Sequence, residues 1–311
     1  MLETEILREV SRSFYLTLRL LPGRLRGTMS LGYLLARATD TVADSAALPA
    51  AERAALLAQM GRAIGGDQGR EDVGRALRER VVPACEDCRE RALVGRFEDC
   101  LAWLDRMRDD RRESVRAVLR TIVAGQLLDV ERFGSDGGGA LASGEELDEY
   151  TYLVAGSVGE FWTGRIIAEY PRAIRGASAT QMGDWGIRYG KGLQLVNILR
   201  DRMADEAAGR RYLPEGEPVP RWEEACAGHL EAGLEYVLAL RPGRLRLASA
   251  LPLLLAGRTL QRVRGASDAE LARGVKVPRP EVKRLLLVAA VGVFSDRWLA
   301  ADFSASRRND A

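Results

Sequence analysis

Apolar residues recur every three to four positions along most of the chain, the period of helices with one buried face. The pattern predicts an amphipathic helix over Leu2 to Val10, then a break at Pro22. Helices follow over Leu25 to Ala43 and Pro49 to Ile64, with a loop at Gly65-Gly66-Asp67-Gln68-Gly69. Glu71 to Arg91 reads as two short helices parted at Pro83. Ala92 to Arg108 and Arg111 to Phe133 read as long ones. Gly134 to Gly139 is a flexible connection. Ser143-Gly144-Glu145-Glu146 opens a helix running through Tyr150 to Ile167, and Ala177 to Asp205 follows. Gly209 to Pro220 is a loop, basic at its start. Helices over Trp222 to Leu240, Leu245 to Val263 and Arg279 to Leu299 complete the chain, and Ser304 onward is a polar tail expected to be disordered. No stretch alternates as a strand does, and no repeat of a solenoid is present. The expectation is one all-α domain over residues 1–303.

Two helices break the apolar pattern in the same way. In Leu193 to Asp205, the side chains of Asn197, Asp201 and Asp205 stand four apart and stack on one face, with Gln194 one turn earlier. In Tyr33 to Asp44, Asp40 and Asp44 are again four apart, with Tyr33 and Arg37 continuing the stripe. Ionised carboxylates are rarely placed on an otherwise apolar helix without a partner, because they lose hydration. A divalent cation is such a partner. Two DxxxD stripes facing each other across a cavity would suit Mg²⁺, which is held by one or two carboxylates, waters and substrate phosphates. One DxxxD is weak evidence, since exposed helices carry it by chance; two with polar extensions are much less so.

Composition agrees with a globular helical protein: 47% of residues are hydrophobic and 29% charged. The net charge of +2 gives no reason to expect nucleic-acid binding. The N-terminus lacks a signal-peptide apolar segment, and the apolar run Leu285 to Phe294 is too short to span a bilayer. A cytoplasmic protein follows, one able to touch the inner face of the membrane peripherally. Cys85-x-x-Cys88 and Cys226-x-x-His229 match no compact zinc module, and reduced thiols are the expectation. His229 is the sole histidine, which leaves no room for a His-dependent triad or multi-His metal centre. Gly134 to Gly139 does not follow a strand and is not a nucleotide loop.

A diphosphate held by Mg²⁺ between the stripes could leave as a neutralised group, with Arg37 and Arg211 adding charge-assisted hydrogen bonds. No nucleophilic side chain is then needed, but the rest of the site must be dry and can use aromatic faces to stabilise a carbocation. The helix around Tyr150-Thr151-Tyr152-Leu153-Val154-Ala155-Gly156-Ser157-Val158-Gly159 suits that need, with small residues that admit either a long chain or a neighbouring helix, and Phe161 and Trp162 adjoining.

At this point the sequence resembles the squalene/phytoene synthase family. The resemblance rests on Asp40-Thr41-Val42-Ala43-Asp44, on Tyr150 to Gly159, and on Gln194 to Asp205 followed by Arg211-Tyr212-Leu213-Pro214. Ser11-Arg12-Ser13-Phe14 and Lys276 to Val282 extend it to nearly the whole chain. It implies an isoprenoid synthase fold, a helical bundle around a central cavity. It implies head-to-head joining of two prenyl diphosphates through a cyclopropyl intermediate, with Mg²⁺. By position, Asp40, Asp44, Asp201 and Asp205 would bind metal with Asn197. Arg37, Gln194, Asn197 and Arg211 would meet diphosphate or metal-bound water, and Ser11, Ser13 and Tyr33 would lie near a diphosphate. Tyr150 would assist the chemistry, while Phe14, Val154 and Gly159 would line the substrate. Thr41 in place of a second aspartate favours farnesyl diphosphate and squalene, with NADPH as the candidate reductant. The same family offers dehydrosqualene, phytoene, presqualene diphosphate or hydroxysqualene as products. A non-catalytic helical protein that binds prenyl lipids is the alternative of a different class.

Overall fold

The computed structural model describes residues 14–67, 69–134 and 139–305. The helix expected over Leu2 to Val10, the residues Ser11 and Ser13, and the side chain of Phe14 lie outside them. The chain divides into two compact units, one of residues up to Arg19 with Gly23–Gly137, the other of Leu20–Pro22 with Gly138–Ala311.

After α1 (Phe14–Leu20), the first unit is built on α2 (Gly23–Ala43). Leu25, Met29, Leu34, Leu35, Ala38 and Val42 of α2 are buried, packed against α3 (Ala50–Gly65) and the later α7. Each such Leu contributes about 2 kcal/mol through removal from water. Gly66 ends α3 in the left-handed region, φ 106°, where its N–H reaches the carbonyls of Arg62 and Ala63. α4 (Arg70–Ala76) does not stop at Pro83. It widens into a π turn at Leu77–Val81 and continues as Val82–Ala84. In that turn the Val82 N–H bonds to Leu77 O, five residues back. The break falls instead at Cys85–Asp87, where Asp87 caps α5 (Cys88–Val94) by accepting from the Arg89 N–H. The long helix expected over Ala92 to Arg108 is therefore two pieces, with α6 (Phe97–Asp105) separate. α7 (Asp109–Phe133) closes the unit.

The second unit begins with β1 (Gly139–Ala140), which the helical pattern did not predict. α8 (Gly144–Thr151), a π turn at Tyr152–Gly156 and α9 (Ser157–Glu169) form one winding rod. α10 (Ala179–Ala207) is the unit's axis. It starts with a reciprocal cap: Gln181 N–H bonds Ser178 Oγ at 3.1 Å, and Ser178 N–H bonds Gln181 Oε1 at 2.9 Å. β2 (Arg210–Arg211) pairs in parallel with β1, Gly139 opposite Arg210, so the loop expected from Gly209 is anchored at its start. α11 (Val219–Ala239) and α12 (Arg244–Arg264) pack on α10 through Cys226, Leu230, Tyr236, Leu251 and Leu254. A short α13 (Asp268–Arg273), absent from the sequence reading, has a Ser267–Glu270 capping box. The final expected helix is two: α14 (Arg279–Gly292) and α15 (Asp296–Ala305), turning at Val293–Ser295. Helix extends through Ala305, into the expected tail; residues 306–311 lie outside the described residues.

Candidate active site

α2 is buried nearly all round except along the stripe that carries Tyr33, Arg37 and Asp40. Arg37 is the hub of this stripe. Its Nη1 donates to Asp40 Oδ2 at 2.5 Å, and its Nη2 donates to Glu90 Oε1 of α5. Burial works against the guanidinium charge, but the carboxylates of Asp40 and Glu90 outweigh it and raise its pKa. Asp40 keeps 41% of its side-chain surface open to water, yet lies deep among protein atoms. Desolvation first, and the nearby Asp44 carboxylate second, push its carboxyl up to about 7 against the pull of Arg37. Burial also pushes the Tyr33 hydroxyl up to about 12. Asp44 is exposed just past the end of α2, but its N–H still bonds Asp40 O at 2.9 Å, so the helical register carries through to it. Thr41 turns away from the stripe: it is buried, and its hydroxyl donates to Arg37 O at 2.9 Å.

On α10 the second stripe runs Lys191, Gln194, Asn197, Asp201, Asp205. Leu195, Val196, Ile198 and Leu199 between them are buried, while Asn197 is exposed and Gln194 half-buried. Each aspartate already holds an arginine. Arg200 grips Asp201 in a fork, Nε to Oδ1 at 2.8 Å and Nη2 to Oδ2 at 2.5 Å. Arg210 of β2 donates to Asp205 Oδ1 at 2.8 Å. The bonds to Asp201 raise the Arg200 pKa, over an opposing effect of burial. Successive side chains of a strand point to opposite sides. Arg211, the residue expected to meet diphosphate, accordingly diverges from Arg210 and pairs with Glu215 at 3.7 Å.

Tyr150, at the end of α8, is buried and stacks on Tyr212, ring centroids 5.1 Å apart and planes 27° from parallel. Immediately after β2, Tyr212 reaches it because the β1–β2 pairing returns the chain to α8. Val154 lies half-buried in the π turn. Gly159, expected to line the substrate, serves a helix crossing. A Cβ there would stand 1.9 Å from Gly186 O, and one on Gly190 would stand 2.2 Å from Ala155 O. The glycine is required by the backbone of α10, which already fills the space beside it. Lys191 donates to both oxygens of Asp148, at 2.7 and 2.8 Å.

Glu90, Arg200, Arg210 and Tyr212 were not assigned roles from sequence. Glu90 is 53 positions from Arg37 and carries no local signal. Arg200 and Arg210 are chain neighbours of assigned residues, and only the helical phase and the strand pairing separate them.

The thiols Cys85, Cys88, Cys100 and Cys226 are all free, and burial pushes Cys100 up to about 12. Burial, then Arg188 and Lys191, lower His229 to about 4. Among the described residues no three His, Cys, Asp or Glu side chains gather as a metal cage. Each stripe offers two carboxylates, one turn apart. That donor set fits Mg²⁺ completed by waters and phosphate oxygens better than a site closed by protein alone.

The family profile of squalene/phytoene synthases matches residues 7–217. The chain belongs to the squalene/phytoene synthase family. Members of that family similar to it include a squalene synthase of Eremothecium gossypii, 25% identical over 91% of this chain and 66% of the relative. A bifunctional lycopene cyclase/phytoene synthase of Gibberella fujikuroi is 28% identical over 67% of this chain and 34% of the relative. The chain thus spans about two thirds or less of these relatives' own lengths. A solved structure of TcSQS with the ligand BPH1237 superposes with a TM-score of 0.73 at 19% identity, covering 99% of this chain and 92% of that one. The fold is the all-α isoprenoid synthase fold of the squalene/phytoene synthase family, and no helix among the described residues is long and apolar enough to cross a membrane.

Proposed function

We propose that the protein joins two molecules of farnesyl diphosphate head to head, giving presqualene diphosphate and then, with NADPH, squalene. The observation that carries this reading is the pair of DxxxD stripes, each on a partly open helix face with an arginine bonded to its aspartates. Mg²⁺ would be held by Asp40 and Asp44, and by Asp201 and Asp205 with Asn197. When bound it would supply charge neutralisation for the departing diphosphate. Arg37, Arg200 and Arg210 are placed to exchange a carboxylate oxygen for a phosphate oxygen, keeping their hydrogen bonds while the leaving group gains donors. The stacked rings of Tyr150 and Tyr212 offer π faces to a carbocation, and their packing against each other fixes the planes. Gln194 and Tyr33 complete the polar rims of the two stripes.

A second reading, condensation of a C20 substrate to phytoene, is favoured by the 28% identity to the Gibberella fujikuroi protein. Incubation with farnesyl or geranylgeranyl diphosphate and Mg²⁺, with and without NADPH, followed by mass analysis of extracted lipids, separates them. Presqualene diphosphate from farnesyl diphosphate alone, converted to squalene by NADPH, is the expected result. A C40 product with farnesyl diphosphate ignored would establish the second reading. Accumulation of presqualene diphosphate at saturating NADPH would remove the reductive step and leave the condensation.

A further inference from the structure

α14 is apolar on two faces. Leu285, Val288, Ala289 and Gly292 face the protein and are buried, Gly292 so closely that a Cβ would stand 2.7 Å from Leu299 Cδ2 of α15. On the other side Leu287 is 68% exposed and Val291 55%; beyond the turn Phe294 is 78% and Trp298 of α15 53%. These are the large exposed hydrophobic side chains of the described residues: Leu287 and Val291 lie one turn apart on α14, Phe294 is in the turn that follows, and Trp298 is in the first turn of α15. Solitary exposed apolar residues are ordinary, but four gathered in one helix–turn–helix segment, two of them Phe and Trp, mark a surface that meets something.

The charges around that surface say what. Lys276, Arg279, Lys283, Arg284 and Arg297 are exposed on these helices and the segment leading into them, against three acidic residues in the same stretch, Glu281, Asp296 and Asp302. All three are held in ion pairs. Glu281 bonds Arg262 at 2.6 Å, and Asp296 bonds Arg175 and Arg246, each at 2.6 Å. Asp302 takes Arg284 at 3.2 Å. Lys276, Arg279, Lys283 and Arg297 have no ion pair among the described residues, so the rim of the apolar surface is positive. Lys283 sits one turn before Leu287, on the same line.

We propose that the α14–α15 face docks on the surface of an anionic lipid bilayer. Leu287, Val291, Phe294 and Trp298 would lie at the headgroup–acyl boundary, with the four unpaired cations against lipid phosphates. An aromatic-tipped apolar face with a basic rim is the composition of interfacial helices. A second copy of the chain would bring an identical positive rim against this one. The inference does not depend on the proposed reaction, since it is read by binding alone.

The test is sedimentation of the full-length protein with phosphatidylcholine vesicles, with or without 30% phosphatidylglycerol, an arbitrary but roughly physiological anionic fraction. The protein is expected to sediment with the anionic vesicles and to be released by high salt. The double variant Phe294→Ser/Trp298→Ser should bind about tenfold more weakly or worse. Lys283→Gln and Arg297→Gln should each weaken binding about fivefold. All four positions are exposed, so unchanged circular dichroism and melting verify the fold. Trp298→Phe provides an independent reading: it should still bind, but lose most of the fluorescence quenching by lipids brominated near the headgroup. Equal sedimentation of the double variant and the wild type would overturn the proposal. So would absence of binding to either vesicle, or a concentration-dependent dimer that the double variant abolishes.

Discussion

Asp40 illustrates how much one side chain must tolerate in this site. It is ion-paired to Arg37, yet its proton is held up to about 7, because desolvation and Asp44 together exceed one guanidinium. A carboxyl with a raised folded pKa binds its proton more tightly in the folded state. It therefore costs stability above that value and nothing below its unfolded pKa near 4. In metal-free buffer, Asp40→Asn is expected to melt higher than wild type at pH 8 and at the same temperature at pH 4. Water reaching the open part of the side chain keeps the gain small. In turnover the same variant, and Asp201→Asn, should lose about a hundredfold or more of kcat through weaker charge neutralisation of the leaving group. Near wild-type turnover by either would remove that aspartate from the metal assignment. Thr41 carries a different lesson. The family resemblance makes it a pointer to the substrate, but its hydroxyl is bonded to Arg37 O and its side chain is buried. An aspartate there would carry a charge toward the core, so this position reports the packing of α2 at least as directly as the substrate.

The elements were legible where periodicity alone decides. α2, α3, α7, α10, α11 and α12 lie within a few residues of the expected boundaries because each has one long apolar stripe and clear end signals. The errors fall where backbone geometry is set by contact at a distance. Pro83 did not end its helix because a π turn absorbs it, and the turn at Tyr152–Gly156 left no periodic trace. The two-residue strands exist only because Gly139 and Arg210 meet, and with them come Arg210 on Asp205 and Tyr212 on Tyr150. The small residues after Tyr150 were seen, but sequence could not tell a lipid groove from a helix crossing. Gly159 belongs to the crossing. Gly159→Ala should lower unfolding free energy by about 2–4 kcal/mol in a urea titration, since the clash is with backbone that cannot move aside. Gly164→Ala, five residues on in the same helix and facing open space, should be neutral or stabilising by about 0.5–1 kcal/mol. Equal effects at the two sites would mean the crossing can relax.

For the molecule as a whole, the arginine–aspartate pairs mean that the α10 stripe is already largely neutralised before any ligand arrives, and the α2 stripe in part. Mg²⁺ alone has to displace arginines, while a diphosphate gives those arginines new acceptors. The two together are expected to raise the melting temperature well beyond the sum of their separate effects. Thermal melts with Mg²⁺, with a non-reactive farnesyl diphosphate analogue, and with both at about a hundred times the dissociation constant should show about 5–10 °C for the combination. Additive shifts would mean the two ligands do not share the arginines. The partition of the chain has a separate bearing on how the protein can be taken apart. Leu20–Pro22 belongs with the second unit, where Arg244 Nε donates to Leu20 O at 2.9 Å and Leu21 is fully buried. A three-residue piece of the second unit therefore interrupts the chain of the first. Cutting the gene once, between codons 137 and 138, would strip the second half of three residues that it packs around. A split protein or a chimera that respects both units has to reckon with three crossings, at 19/20, 22/23 and 137/138, with Leu20–Pro22 alone of the early residues kept on the side of the later ones.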